Sequence, residues 1–237
     1  MKYIPQHIAI IPDGNRRFAM RLMKEPSKGH EWGVEKLKTL FFWCKEIGIK
    51  SVTFYSLSLE NINKRPKEEL NFIYMLTKKE IGDIINNKDN FVHDNKIKIR
   101  FFGNKHLLPQ DLQDKIKEAE EITNKYDDFR INFAMAYGGR QELIDASQRI
   151  GYAVASGQLR PEDINDMVLR ENLKTNGDSD PDLIIRTGRE RRLSNFLLYQ
   201  SAYSELAFSD SYWPEFSKEE FFEIIENYAS RDRRFGK

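Results

Sequence analysis

HIAIIPDGNRRFA, His7 to Ala19, is the stretch on which the fold turns. The apolar run Ile8 to Ile11 stops at Pro12 and gives way at once to Asp13, Gly14, Asn15, Arg16 and Arg17. An apolar run closed by proline and followed by capping residue types predicts a strand, a tight turn and then a helix. Asp13 or Asn15 can cap that helix. Gly14 leaves room for a ligand to approach the backbone, so free N–H groups and two guanidinium groups face one spot. Such a spot attracts anions, phosphates above all. A carboxylate there is odd for a plain phosphate cradle, unless a divalent metal lies between Asp13 and the phosphate oxygens. A capped helix with solvated arginines fits the local pattern equally well.

Outward from this stretch the chain alternates. A helix is expected from about Gly29 to Ile47, ended by Gly48, with Trp32, Val34, Leu37, Leu40, Phe41 and Cys44 on one broad face. Ser51 to Leu57 reads as a strand, followed by a polar loop holding Ser58, Glu60, Asn61, Lys64 and Arg65. Helices are expected from about Lys67 to Asn87 and from Pro109 to Tyr126, with a strand, Lys98 to Phe102, between them. Arg130 to Ala136 is the fourth strand and ends in Tyr137, Gly138, Gly139 and Arg140; the helix after it ends near Gly157. Pro161 to Asn172 reads as a short helix, Asp182 to Arg186 as the fifth strand, and FLLYQSAY as a mixed helical segment. A last strand to Phe208 and a helix from Lys218 to Arg231 complete the chain.

Strands alternating with helices predict one α/β domain spanning residues 1–237, with a mainly parallel central sheet of about six strands flanked by helices. Ligands of such sheets bind beyond the carboxyl ends of the strands. The polar clusters after strands one, two, four and five should therefore share one rim. Arg17, Arg65, Arg140, Arg186 and Arg192 crowding that rim imply a site for more than one phosphate.

Composition narrows the field. The 38 basic and 37 acidic residues leave a net charge of +1, so no broad field attracts nucleic acid, and any anion site must be local. A hydrophobic content of 40% with 12% aromatic residues is ample for a core. The single cysteine, Cys44, excludes an internal disulfide and a cysteine-based zinc cluster. The lack of a secretory signal and of a spanning apolar run predicts a cytoplasmic protein.

HIAIIPDGNRRFA, SLENINKRP with Glu69, and DLIIRTGRERRLSNFLLYQSAYSEL with WPEF resemble, in order, the signatures of the cis-prenyltransferases, the family of undecaprenyl diphosphate synthase. They run from His7 to Phe216. The resemblance implies condensation of isopentenyl diphosphate onto an allylic diphosphate, farnesyl or geranylgeranyl, giving a long-chain polyprenyl diphosphate, a precursor of glycosyl carrier lipid. It implies Mg2+ held by Asp13 and Glu205, and Asn61 as proton acceptor. Gly14, Asn15, Arg16, Arg17, Phe18 and His30 would grip the allylic diphosphate, with Ser58, Leu59, Glu60 and Arg65 in the second signature. Arg186, Arg192, Leu193 and Ser194 would form the isopentenyl diphosphate pocket. The resemblance also implies a homodimer, loose membrane association through the product, and a terminal Arg234, Phe235 and Gly236 that in some relatives reaches the partner's site. Arg16 stands where bacterial members usually have glycine, as in archaeal and eukaryotic relatives. Phe18 replaces a tryptophan, and the arginine usual before Gly29 and His30 is missing.

A growing isoprenoid tail needs an apolar tunnel. Phe54, Phe101, Phe133, Phe72, Ile73 and Leu76 are candidates for its wall, although core packing is the simpler account of each one alone. His7, His93 and His106 have no spacing that suggests a metal triad. The competing classes are a phosphohydrolase using Asp13 as nucleophile and a non-catalytic subunit that binds lipid diphosphate.

Overall fold

The structure is a computed structural model and describes residues 3–231. The six strands form one parallel sheet in the order β3-β4-β2-β1-β5-β6. They are β1 (His7–Ile11), β2 (Ser51–Ser58), β3 (Ile97–Phe102), β4 (Phe129–Tyr137), β5 (Leu183–Arg186) and β6 (Glu205–Phe208). Their parallel direction follows from the expected alternation, since each crossover must return the chain to the same end of the sheet. β1 lies between β2 and β5, so the chain has wound outward in both directions from it. The gap beyond its carboxyl end is where such sheets accept ligands.

Burial on both faces explains the continuous apolar strands. Ile8 and Ile10 point into the larger core, under α2 (Pro26–Ile47), α4 (Lys67–Asn86), α6 (Gln110–Thr123) and α9 (Lys218–Ser230). Ala9 and Ile11 point into a smaller one with Tyr55, Tyr137, Phe196 and Leu197. At the amino end, buried His7 is spent on structure: Nδ1 lies 2.6 Å from the Ser179 carbonyl and Nε2 2.8 Å from Thr53 Oγ1.

Several local expectations needed correction. The helix after the first turn, α1 (Asn15–Arg21), is capped by Gly14 at φ 105°, with no side-chain cap, so neither Asp13 nor Asn15 plays that part. Asp13 is engaged elsewhere, as described below. The loop after β2 contains α3 (Leu59–Lys64), which Ser58 caps by accepting from the Asn61 amide at 3.1 Å. A four-residue α5 (Phe91–Asp94) precedes β3. After α7 (Gly139–Ala155), the expected helix over 161–172 breaks into a 3-10 turn and α8 (Asp166–Glu171). FLLYQSAY, residues 196–203, forms bends and turns and not a helix: Leu197 takes a φ of 45°, and Ser194 and Asn195 just before the segment take 50° and 67°, which no right-handed helix allows. Each such residue costs about 1–3 kcal/mol and persists only where its surroundings hold it.

Candidate active site

Register brings the first signature to the last. Ile11 pairs with Arg186 across β1 and β5, so Asp13, two residues on, stands beside the guanidinium. Arg186 Nη2 donates to Asp13 Oδ2 at 2.8 Å and Arg17 Nη2 donates to Oδ1 at 3.0 Å. The Asp13 carbonyl accepts from the Thr187 hydroxyl at 2.8 Å and from the Trp213 amide at 3.0 Å, so its backbone is pinned as well. On its other arm, Arg186 Nη1 donates to Ser194 Oγ at 2.7 Å and to the Arg192 carbonyl at 2.5 Å, reaching the strained loop after β5. Arg186 is only 5% exposed, whereas the Asp13 carboxylate is 29% exposed. Arg186 Nε is buried without a partner, a donor still to be satisfied.

A second carboxylate, Glu69, gathers three cationic or titratable groups at the start of α4. Arg65 Nη1 lies 2.8 Å, His30 Nε2 3.3 Å and Arg16 Nη1 3.3 Å from its oxygens. Burial holds the His30 imidazole below its usual range, and neighbouring Arg65 pushes the same way. Arg192 pairs with Glu190, which also lies 3.7 Å from Arg17. In the β2 loop, burial pushes the Glu60 carboxyl up. Hydrogen bonds from its own amide, Asn195 and Ser58 outweigh that, and the net shift is down.

Two glycines of α2 let α1 lie against it. A Cβ at Gly29 would stand 2.0 Å from the Asn15 carbonyl, and one at Gly33 would stand 2.8 Å from Asn15 Oδ1. That oxygen is itself buried and unpaired. On the other flank, Arg17, Arg21 and Arg189 all lie over the ring of Tyr212, at 5.3, 5.2 and 5.3 Å from its centroid. The same ring fills the space a Cβ on Gly14 would need, with Cδ1 2.5 Å away.

These groups surround the mouth of a cavity of about 740 Å³. Asp13, Asn15, His30, Ser58, Glu60, Asn61, Arg65, Arg186, Arg192 and Ser194 line it at the polar end. Phe54, Phe101, Phe133, Ile73 and Leu76, all expected in an apolar wall, line the interior, whereas Phe72 does not. Gly14, Arg16, Arg17, Phe18, Leu59 and Leu193 are not among the residues that line it, although Arg17 holds Asp13 and Arg16 holds Glu69. Phe18 packs edge-on against Trp32 at 5.5 Å. Arg140 is exposed and outside the cavity, its amide bonded to Asn195 Oδ1 at 2.9 Å.

Glu205 does not join Asp13. It begins β6 opposite Leu183, at the amino end of the sheet, three residues along the strand from the Arg186 level, and pairs with Arg231 at 3.0 Å. Among the described residues no cluster of three His, Cys, Asp or Glu side chains forms a metal cage. Arg234, Phe235 and Gly236 lie outside the described residues. Sequence reasoning missed Tyr212, Gly33 and Asn195. Only the position of Tyr212 beside WPEF could have drawn attention to it.

A family model described as "Putative undecaprenyl diphosphate synthase" matches residues 11–236. The chain is 46% identical over 234 residues to a protein of Methanopyrus kandleri named tritrans,polycis-undecaprenyl-diphosphate synthase (geranylgeranyl-diphosphate specific), covering 99% of this chain and 85% of that one. A protein of the same name from Pyrococcus horikoshii is 45% identical, with 99% and 88% covered. The crystal structure of lavandulyl diphosphate synthase from Lavandula x intermedia in complex with dimethylallyl diphosphate superposes with a TM-score of 0.91 at 32% identity, covering 99% of each chain. A parallel sheet whose first and fifth strands join Asp13 to Arg186 above an apolar cavity, and relatives alike over nearly the whole chain, make this protein a member of the cis-prenyltransferase family.

Proposed function

We propose that this prenyltransferase condenses isopentenyl diphosphate units onto geranylgeranyl diphosphate, with Mg2+, to give a long-chain polyprenyl diphosphate destined to become a glycosyl carrier lipid. One observation carries the reading: a carboxylate held between Arg17 and Arg186 opens onto a cavity of about 740 Å³ whose far walls are aromatic and aliphatic. A diphosphate head and an isoprenoid tail each find their solvent there. The archaeal relatives' names favour geranylgeranyl over farnesyl diphosphate as primer.

In the reaction the allylic C–O bond breaks and diphosphate leaves. The double bond of isopentenyl diphosphate attacks the allylic carbon, and a proton is lost to leave the new cis double bond. The guanidinium of Arg186, with its unspent Nε, and those of Arg17 and Arg192 hold diphosphate oxygens and stabilise the charge that develops there. The donor set, a single partly exposed carboxylate, fits an ion held mainly by its substrate: Asp13 would hold magnesium, which would supply charge neutralisation for the departing diphosphate. Asn61 lines the cavity but is a neutral amide, and the Ser58 hydroxyl is occupied as a helix cap. The proton therefore passes by way of water or diphosphate, with Asn61 orienting the acceptor. A homodimer and loose, product-driven membrane association belong to the same reading. Among the described residues no helix is long and apolar enough to cross a membrane.

Purified protein given labelled isopentenyl diphosphate, Mg2+ and, in parallel, farnesyl or geranylgeranyl diphosphate tests this. Labelled polyprenyl diphosphate, formed faster from geranylgeranyl diphosphate, is the expected result. Release of inorganic phosphate without carbon-carbon bond formation, or no turnover, overturns it.

A further inference from the structure

The cavity is not equally walled on all sides. Toward the sheet it ends on buried Phe54 and Phe101. Between α2 and α4 it ends on an ion pair, Lys38 Nζ to Glu80 Oε2 at 3.0 Å, and both side chains line the cavity while remaining 31% and 26% exposed. The pair thus joins α2 to α4 across the cavity wall with part of each side chain still open to water. One turn further along α2, Phe42 is 51% exposed, and its ring lies 6.4 Å from that of Phe91, which also lines the cavity. At this seam a charged pair, rather than an apolar side chain, closes the wall between the two helices.

Length makes the seam matter. From Glu69, which holds the cavity-lining Arg65, to Ile84, which also lines the cavity, α4 advances fifteen residues, about 22 Å. An isoprene unit lengthens an extended tail by roughly 5 Å, so a tail beyond about four units outruns the cavity. The remainder needs a way out, and the seam bridged by Lys38 and Glu80 lies between the two helices that flank the tail.

Building on the elongation reading above, we infer that Lys38 and Glu80 form a latch on the seam between α2 and α4: closed, it confines the primer's tail, and parted, it lets a longer tail pass out, so its strength sets product chain length. A half-exposed pair suits this part, since its two ends can be re-solvated at little cost. Glu35 Oε1, 3.3 Å from Lys38 Nζ, offers the lysine a second resting place on its own helix.

The test uses Lys38→Glu, which sets like charges across the seam, Glu80→Lys, and the exchanged double variant; Lys38→Ala with Glu80→Ala replaces a single variant that fails to fold. Two readouts are taken: product length with labelled isopentenyl diphosphate, and binding of geranylgeranyl diphosphate and of undecaprenyl diphosphate to each protein. The single variants are expected to make longer products. They should bind undecaprenyl diphosphate up to about fivefold tighter, the ratio one half-exposed ion pair can command, with geranylgeranyl diphosphate little changed. The exchanged double variant is expected to return both readouts to those of the parent. Unchanged lengths and affinities, equal changes for both lipids, or a double variant that does not recover would overturn the latch. A parent that binds both lipids but makes no polyprenyl product defeats the elongation reading alone, because the binding comparison still tests the latch.

Discussion

Arg186→Lys isolates what the forked guanidinium does that a point charge does not. Arg186 spans three acceptors of the site, Asp13 Oδ2 at 2.8 Å on one arm and Ser194 Oγ at 2.7 Å with the Arg192 carbonyl on the other. A lysine ammonium reaches one side of that span. Hydrogen bonds to charged groups are worth about 1.5–3 kcal/mol each, so losing two gives roughly 3–6 kcal/mol before correction. Asp13 is 29% exposed, so water takes up part of the deficit, leaving about 2–3 kcal/mol. If that loss falls on the transition state, kcat/KM for isopentenyl diphosphate drops about 30- to 150-fold. The positive charge beside Asp13 is retained, so the urea midpoint should fall by less than the lost activity corresponds to. Steady-state incorporation of labelled isopentenyl diphosphate, run beside urea unfolding followed by tryptophan fluorescence, measures both. A kcat/KM within about threefold of the parent, or an activity loss matched by an equal loss of stability, would refute the reasoning.

Gly33→Ala places a methyl 2.8 Å from Asn15 Oδ1, and overpacking of this kind costs about 1–3 kcal/mol; the KM for the allylic primer should rise, and an unchanged KM would show that Asn15 has room to yield. Tyr212→Leu removes the ring under Arg17, Arg21 and Arg189 while Tyr212→Phe keeps it. The leucine variant should lose affinity for diphosphate substrates and the phenylalanine variant should not, and equal behaviour of the two would count against the ring. Burial holds His7 and His30 below the usual 6.5, so the folded chain refuses protons that the unfolded chain accepts. Stability is therefore fully present above about pH 6.5 and is lost as pH falls below it, which urea midpoints at about pH 7.5 and about pH 5.5 would show. His7→Asn should flatten the dependence, and a parent midpoint that holds or rises on acidification would contradict the assignment. Buried Cys44, whose thiol burial pushes up, should resist a thiol reagent until the chain unfolds, and rapid labelling of the native protein would disprove its place in the core.

What the chain's linear order determined was the alternation of elements and the rim on which they end. Apolar runs closed by Pro12, Gly48 and Gly103 announce strands and helices because their signals are local: side-chain period, proline stops and left-handed glycine. Asp13, Asn61 and Arg186 were legible for the same reason, each lying in a polar cluster that directly follows or ends a strand. The helical expectation over FLLYQSAY failed because nothing local announces the positive φ of Leu197 within it or of Asn195 just before it, which contacts with Glu60, Gly139 and the core hold from a distance. Glu205 matched a signature, yet only strand register shows which end of the sheet it occupies, and a four-residue strand puts its two ends about 10 Å apart. The convergence of three groups on Glu69, the arginines over Tyr212 and the ion pair of Lys38 with Glu80 join residues far apart in the chain. Tertiary structure alone decided these, because side chains on different elements meet only after the helices have packed on the sheet, and no periodicity in the sequence records that meeting.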